Sequence, residues 1–170
     1  DSNGSIYDYD YIVLTLSQKN FLPWFADDEK ISEFYSDMDY VSNIVVTLVY
    51  KREDLHINRE IGEIIFQKNE SEYVTKLEYV SNKWIDIKMS GIQIVRAFVN
   101  RQDAVEKLTN KTDEEIRDLL IEEMREVHGF VGNLERYFVS RITNNYRFCD
   151  NYYNDNINEF NEYMRAKYPN

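Results

Sequence analysis

This sequence is poor in the residues that staple, break or metallate a chain. It has one cysteine, Cys149, so no internal disulfide can form and the fold must stand on packing. Its two histidines, His56 and His128, stand apart and lack the paired spacing of a zinc helix. A di-iron bundle site fails as well, because the residue three before His128 is Arg125 rather than Glu. Five glycines and two prolines leave little room for the tight turns of an all-β fold, so the composition leans towards helices. Two of those glycines are three residues apart, but no Gly-rich phosphate loop occurs. These gaps predict no metal and no cofactor.

Positive charge is scarce too. Twenty Lys and Arg stand against 31 Asp and Glu, for a net charge of −11. The densest basic pair is Lys51-Arg52, which argues against nucleic acid and anionic membranes as partners. A protein partner with a basic surface suits this balance better. No apolar run is long enough to span a bilayer.

What the chain does have is aromatic side chains, 14 Tyr and 9 Phe among them, and periodic apolar stripes. Leu77, Val80, Trp84, Ile87, Ile94 and Phe98 trace a helical face, with Val74, Ile85, Ile92, Val95 and Val99 beside it. The segments YVTKLEYV and WIDIKM also alternate as strands would, but the helical stripe runs through both. The spacing predicts one long helix from Glu72 to Leu108. A second begins at Thr112, whose TDEE motif reads as a capping box with Glu115, and runs to about Asn144. Gly129 and Gly132 lie within it, where they weaken or kink the helix or admit a close neighbour. Ile31, Phe34, Tyr35, Met38, Val41, Val45, Leu48 and Val49 suggest a third helix, although the β-branched IVVTLVY competes as a strand. Ile57, Ile61, Ile64 and Ile65 suggest a shorter helix, and Asp155 to Lys167 a terminal one. The expected fold is all-α: an elongated antiparallel helical bundle with two long helices, each roughly 50 Å, and shorter flanking helices. It forms a single domain over residues 1–170, with residues 1–10 as an acidic N-terminal tail.

No catalytic constellation survives its spacing test. Cys149 lacks a positive neighbourhood to activate its thiol. The carboxylate run Glu114, Glu115, Asp118, Glu122, Glu123 and Glu126 reads as a solvated helix face. The expectation is therefore a non-enzymatic, secreted bundle that binds another protein through an acidic, aromatic surface. Its candidate contacts are Tyr7, Tyr9 and Tyr11 in the YDYDY stretch, and Tyr146, Phe148, Tyr152 and Tyr153 near residue 150. The Asp spacing around Tyr7, Tyr9 and Tyr11 also suits sulfation, which would add fixed negative charge. One alternative is a carrier of an apolar, lipid-like ligand in a cavity lined by Trp24, Trp84, Phe98, Phe130 and Phe138. Another is an intracellular adaptor, with the cytoplasm as the competing compartment. Asn69 and Asn110 lie in glycosylation sequons.

Overall fold

The computed structural model describes residues 4, 6–16, 18–36, 40–88, 91–147 and 151–169. The chain divides into two compact units, residues 41–146 and the two flanks, 1–40 with 147–170.

The larger unit is built on a five-stranded sheet, which overturns the all-α expectation. Its strands are β1 (Tyr40–Lys51), β2 (Glu63–Ile65), β3 (Lys76–Tyr79), β4 (Ile92–Val99) and β5 (Leu134–Arg147), in the order β2-β3-β4-β1-β5. β1 pairs antiparallel with β4, and β3 pairs antiparallel with both β2 and β4. The IVVTLVY stretch therefore takes its strand alternative. Val and Ile are stiff at χ1 and pack well on a pleated surface. Alternation decides which side chains go inside: Ile44, Val46, Leu48 and Tyr50 are buried, as are Gln93, Val95, Ala97 and Val99 opposite them.

The supposed helix from Glu72 to Leu108 is really β3, two single-turn helices, β4 and α5. The two turns are α3 (Val80–Lys83) and α4 (Ile85–Lys88), and α5 spans Gln102–Leu108. The helical stripe drawn through this segment was misleading because both faces of β4 are apolar enough to feed a 3.6-residue pattern. The second long rod is half right. Helix α6 (Asp113–His128) starts at the expected capping box, where Thr112 Oγ1 accepts from Glu115 N–H and the Glu115 carboxylate accepts from Thr112 N–H. It ends at Gly129, whose φ of 63° is the left-handed cap that favours glycine. The chain then turns into β5. Gly132 allows a close approach: a Cβ there would lie 2.7 Å from Leu55 Cδ1.

Ala104, Val105 and Leu108 of α5, with Ile116, Leu120 and Met124 of α6, cover one face of the sheet and complete the core. Ile57 and Ile61 lie in a loop that packs against this core, and Ile64 and Ile65 belong to β2; the short helix expected over them does not form.

The flanking unit is helical: α1 (Gln18–Phe21), a 3-10 turn at Leu22–Phe25, α2 (Glu29–Ser36) and α7 (Asn151–Lys167). Phe34 stacks on Phe160 at 3.9 Å between centroids, and Tyr35 meets Phe21 and Phe160 edge-on. Asp28, 3% exposed, caps α2 through Ile31 N–H. Its carboxylate also accepts from Tyr163, Tyr168 and Lys167. Burial pushes the Asp28 carboxyl up, but these donors outweigh it and hold the group well below the usual carboxylate range. No helix among the described residues is long and apolar enough to cross a membrane.

Candidate functional site

Opposed residues in an antiparallel pair share a face. The register therefore puts Val45, Thr47 and Val49 of β1 on the second face of the sheet, with Ile94, Arg96 and Phe98 of β4 and Lys76 and Glu78 of β3. The aliphatic residues here and Phe98 are half-buried, not sealed like the first face. Lys76 Nζ lies 4.2 Å from the Phe98 ring centroid.

One edge of this face is ionic. Lys83 Nζ reaches Glu63 at 2.7 Å and Glu78 at 2.8 Å, and Arg96 lies 3.6 Å from the other Glu78 oxygen. The hydrogen bonds to Glu63 and Glu78 raise the Lys83 ammonium above its ordinary value, and the one from Lys83 lowers Glu63. Both groups stay charged at neutral pH. They are suited to orienting a polar end of a bound molecule, not to taking a proton from it.

A second concavity, of about 570 Å³, lies along α6 and the 68–73 loop. Glu70, Glu72, Glu122 and Glu126 line it with Tyr73 and Leu119, and Glu123 forms its floor. Glu123 is not on a solvated face; it is 8% exposed. Its carboxylate accepts from Ser71 Oγ at 2.8 Å, from Tyr73 N–H at 3.1 Å, from Val74 N–H at 3.0 Å and from Glu72 N–H. Arg101 donates to the Ser71 and Glu72 carbonyls of the same loop. Glu123 is thus a fixed anchor with its lone pairs occupied. Among the described residues, no group of three or more His, Cys, Asp or Glu is placed to hold a metal ion.

The residues singled out from sequence are scattered. Tyr7, Tyr9 and Tyr11 are exposed, with the Tyr7 and Tyr9 rings 6.3 Å apart. Phe148 and the side chains of Tyr146, Tyr152 and Tyr153 lie outside the described residues. Trp24 and Trp84 are exposed, as is Phe138, while Phe130 packs against Tyr50 in the core. Phe98 belongs to the second sheet face. Asn69 and Asn110 are both exposed. Reasoning from sequence missed Glu78, Lys83 and Arg96; the alternation in KLEY and IVRAFV was the signal that could have placed two of them.

Residues 1–154 match the family model of flavin-containing amine oxidoreductases. The chain belongs to this family. That membership overturns the expectation of a non-enzymatic binding bundle, along with its carrier and adaptor alternatives. Solved structures agree on the fold. A putative protoporphyrinogen oxidase from Exiguobacterium sp. 255-15 is 19% identical, with a TM-score of 0.68, over 94% of this chain and 34% of its own. A reduced UDP-galactopyranose mutase is 16% identical, with a TM-score of 0.73, over 97% of this chain and 35% of its own. The chain spans about a third of the length of each of these two structures. No curated protein matches the sequence.

The family implies a flavin. A dinucleotide cradle needs closely spaced glycines opening a helix, so that the backbone can approach the phosphates. The closest glycine pair here, Gly129 and Gly132, closes α6 and packs on Leu55 instead. These 170 residues therefore do not fit the dinucleotide part of the cofactor.

Proposed function

We propose that this chain supplies the substrate side of a flavin-dependent oxidoreductase, with the second sheet face turned to the substrate. The observation that carries the reading is an asymmetry. A chain of a flavin family has no phosphate cradle of its own, yet it carries a rigid sheet with one face sealed by helices and the other apolar with an ionic edge. Flavins accept hydride from a bound substrate. The residues of this chain act on the substrate alone. Val45, Val49, Ile94 and Phe98 hold its apolar body away from water, and the Glu63–Lys83–Glu78–Arg96 network orients a polar end.

The test uses the natural gene product, isolated with whatever further chain it carries. Visible flavin absorption is expected, with bleaching by a reactive amine under anaerobic conditions. Val49→Lys places a charge on the apolar floor and is expected to raise KM by about tenfold or more, equivalent to about 1.4 kcal/mol of binding. A natural product that carries no flavin, or a sheet face whose substitution leaves turnover untouched, would sink the proposal.

A further inference from the structure

The stretch YIVLTL, residues 11–16, is apolar and uncovered. Tyr11, Ile12, Val13, Leu14 and Leu16 are each 40% exposed or more. None of residues 6–16 belongs to a helix or strand. A folded protein rarely leaves a contiguous apolar stretch of this kind in water unless a contact is made there.

The composition says what kind of contact. YIVLTL is β-branched and aromatic, with no glycine, proline or charge, which is the make-up of a strand. The similar run IVVTLVY shows what such a sequence needs. It forms most of β1, which lies between β4 and β5 and seals Val46 and Leu48 on one face. YIVLTL differs in having no polar side. Successive residues of a strand point to opposite faces, so Tyr11 and Val13 would share one face, and Ile12, Leu14 and Leu16 the other. A strand that is apolar on both faces belongs to a parallel sheet covered by helices on both sides. The dinucleotide end of a flavin is held on such a sheet. This chain belongs to a flavin family, spans about a third of two solved structures of its fold, and closes its nearest glycine pair on a helix end instead of on phosphates. Asp8 and Asp10, exposed just before the run, count against an anionic membrane as its cover.

We propose that residues 11–16 dock as a strand in the dinucleotide-binding sheet of the oxidoreductase, a sheet whose other strands lie outside these 170 residues. Backbone hydrogen bonds to a neighbouring strand would supply affinity, and burial of both side-chain rows would supply register. The inference rests on the reading that the flavin's dinucleotide end is held elsewhere. It makes no use of the substrate-facing role of the second sheet face.

The test is amide hydrogen exchange in the natural gene product, with whatever further chain it carries, beside the 170-residue chain alone. In the 170-residue chain the amides of residues 11–16 are expected to exchange close to the unprotected rate. In the natural product they should slow by about a hundredfold or more. Val13→Lys and Leu14→Lys put a charge on opposite faces of the strand. Each is expected to cut that protection by about tenfold or more. Neither should move the urea midpoint of the 170-residue chain, where both positions are exposed. Equal exchange in the two proteins would overturn the inference. So would protection in the 170-residue chain that grows with its concentration, because a second copy would then be the cover. Tolerance of either lysine would overturn it as well, since only one face would then be buried. Flavin absorption read on the same natural product separates the two readings: flavin present with residues 11–16 unprotected sinks this inference and leaves the substrate-side reading standing.

Discussion

Glu123 and Arg59 solve the same problem with opposite charges. Each is an ionised side chain drawn in among backbone, and among the described residues neither forms a salt bridge. Glu123 gathers the N–H groups of three consecutive residues and a serine hydroxyl. Arg59 gathers two carbonyls and an amide oxygen. Backbone dipoles can stabilise a charge when several point at it from fixed positions. The difference lies in what remains. The donors on Glu123 fill its carboxylate and pin a loop; Arg59 holds the Gln93 oxygen and leaves the nitrogen of that amide without a partner. One is a finished anchor, and the other an anchor with capacity left.

Removing the anchors should therefore have unequal consequences. Glu123→Ala strands three loop N–H groups and Ser71 under α6, and each buried unsatisfied group costs about 1–3 kcal/mol. The expected destabilisation is about 3 kcal/mol or more by urea unfolding, the largest effect here. Glu123→Gln keeps one acceptor but points donors at donors, so it should recover only part of the loss. If Glu123→Ala shifts the urea midpoint no more than an ordinary surface substitution, the anchor reading fails.

Arg59→Met removes the guanidinium but keeps the stem. Leu55 is buried, but Arg52 is only half-buried and water can replace the guanidinium there, so the expected loss is smaller, about 1–2 kcal/mol. The sharper readout is local. Amide hydrogen exchange should quicken over residues 52–59 while α6 stays protected. Equal quickening in both places would erase the distinction between the two anchors.

Thr112 repeats the chemistry of Glu123 at the surface, a side-chain oxygen on a helix N–H. Water can replace it there, so Thr112→Ala should cost about 1 kcal/mol. A loss as large as that of Glu123→Ala would mean that burial is not what separates them.

The capping box at Thr112 was legible because its signal is local: four consecutive residues carry the whole motif. The strands were not, because Ile92, Ile94 and Phe98 make the second face of β4 apolar, and a two-sided strand can be threaded by a helical stripe. The same ambiguity let β1 pass for part of a helix. Glu123 looks like one more solvated carboxylate in a dense run, since its partners lie about 50 residues earlier and, apart from Ser71 Oγ, are backbone atoms with no sequence signature. Arg59 was invisible for that reason as well. Lys51-Arg52 was visible as the densest basic pair, but the strand pairing that brings Gly91 alongside was not. The flavin family was out of reach because no phosphate loop lies within these residues to announce it.

The smallest effect reads the Glu123 charge from a distance. His128, at the end of α6, stacks on Phe66 with ring centroids 3.8 Å apart, and its Nε2 is buried without a partner. Burial lowers the imidazole pKa, while the charges of Glu123 and Glu70 pull it back up. A histidine depressed in the folded state favours folding above its unfolded pKa, near 6.5, and that contribution is lost as the pH falls through the folded value. Stability should therefore decline modestly on acidification from pH about 7 to about 5, and His128→Phe, which keeps the stack, should flatten that slope. Glu123→Gln removes the larger of the two opposing charges, so the His128 midpoint should fall further by NMR titration. A midpoint that does not move would show that the loop amides already cancel the Glu123 charge at that distance, making the anchor neutral to its surroundings.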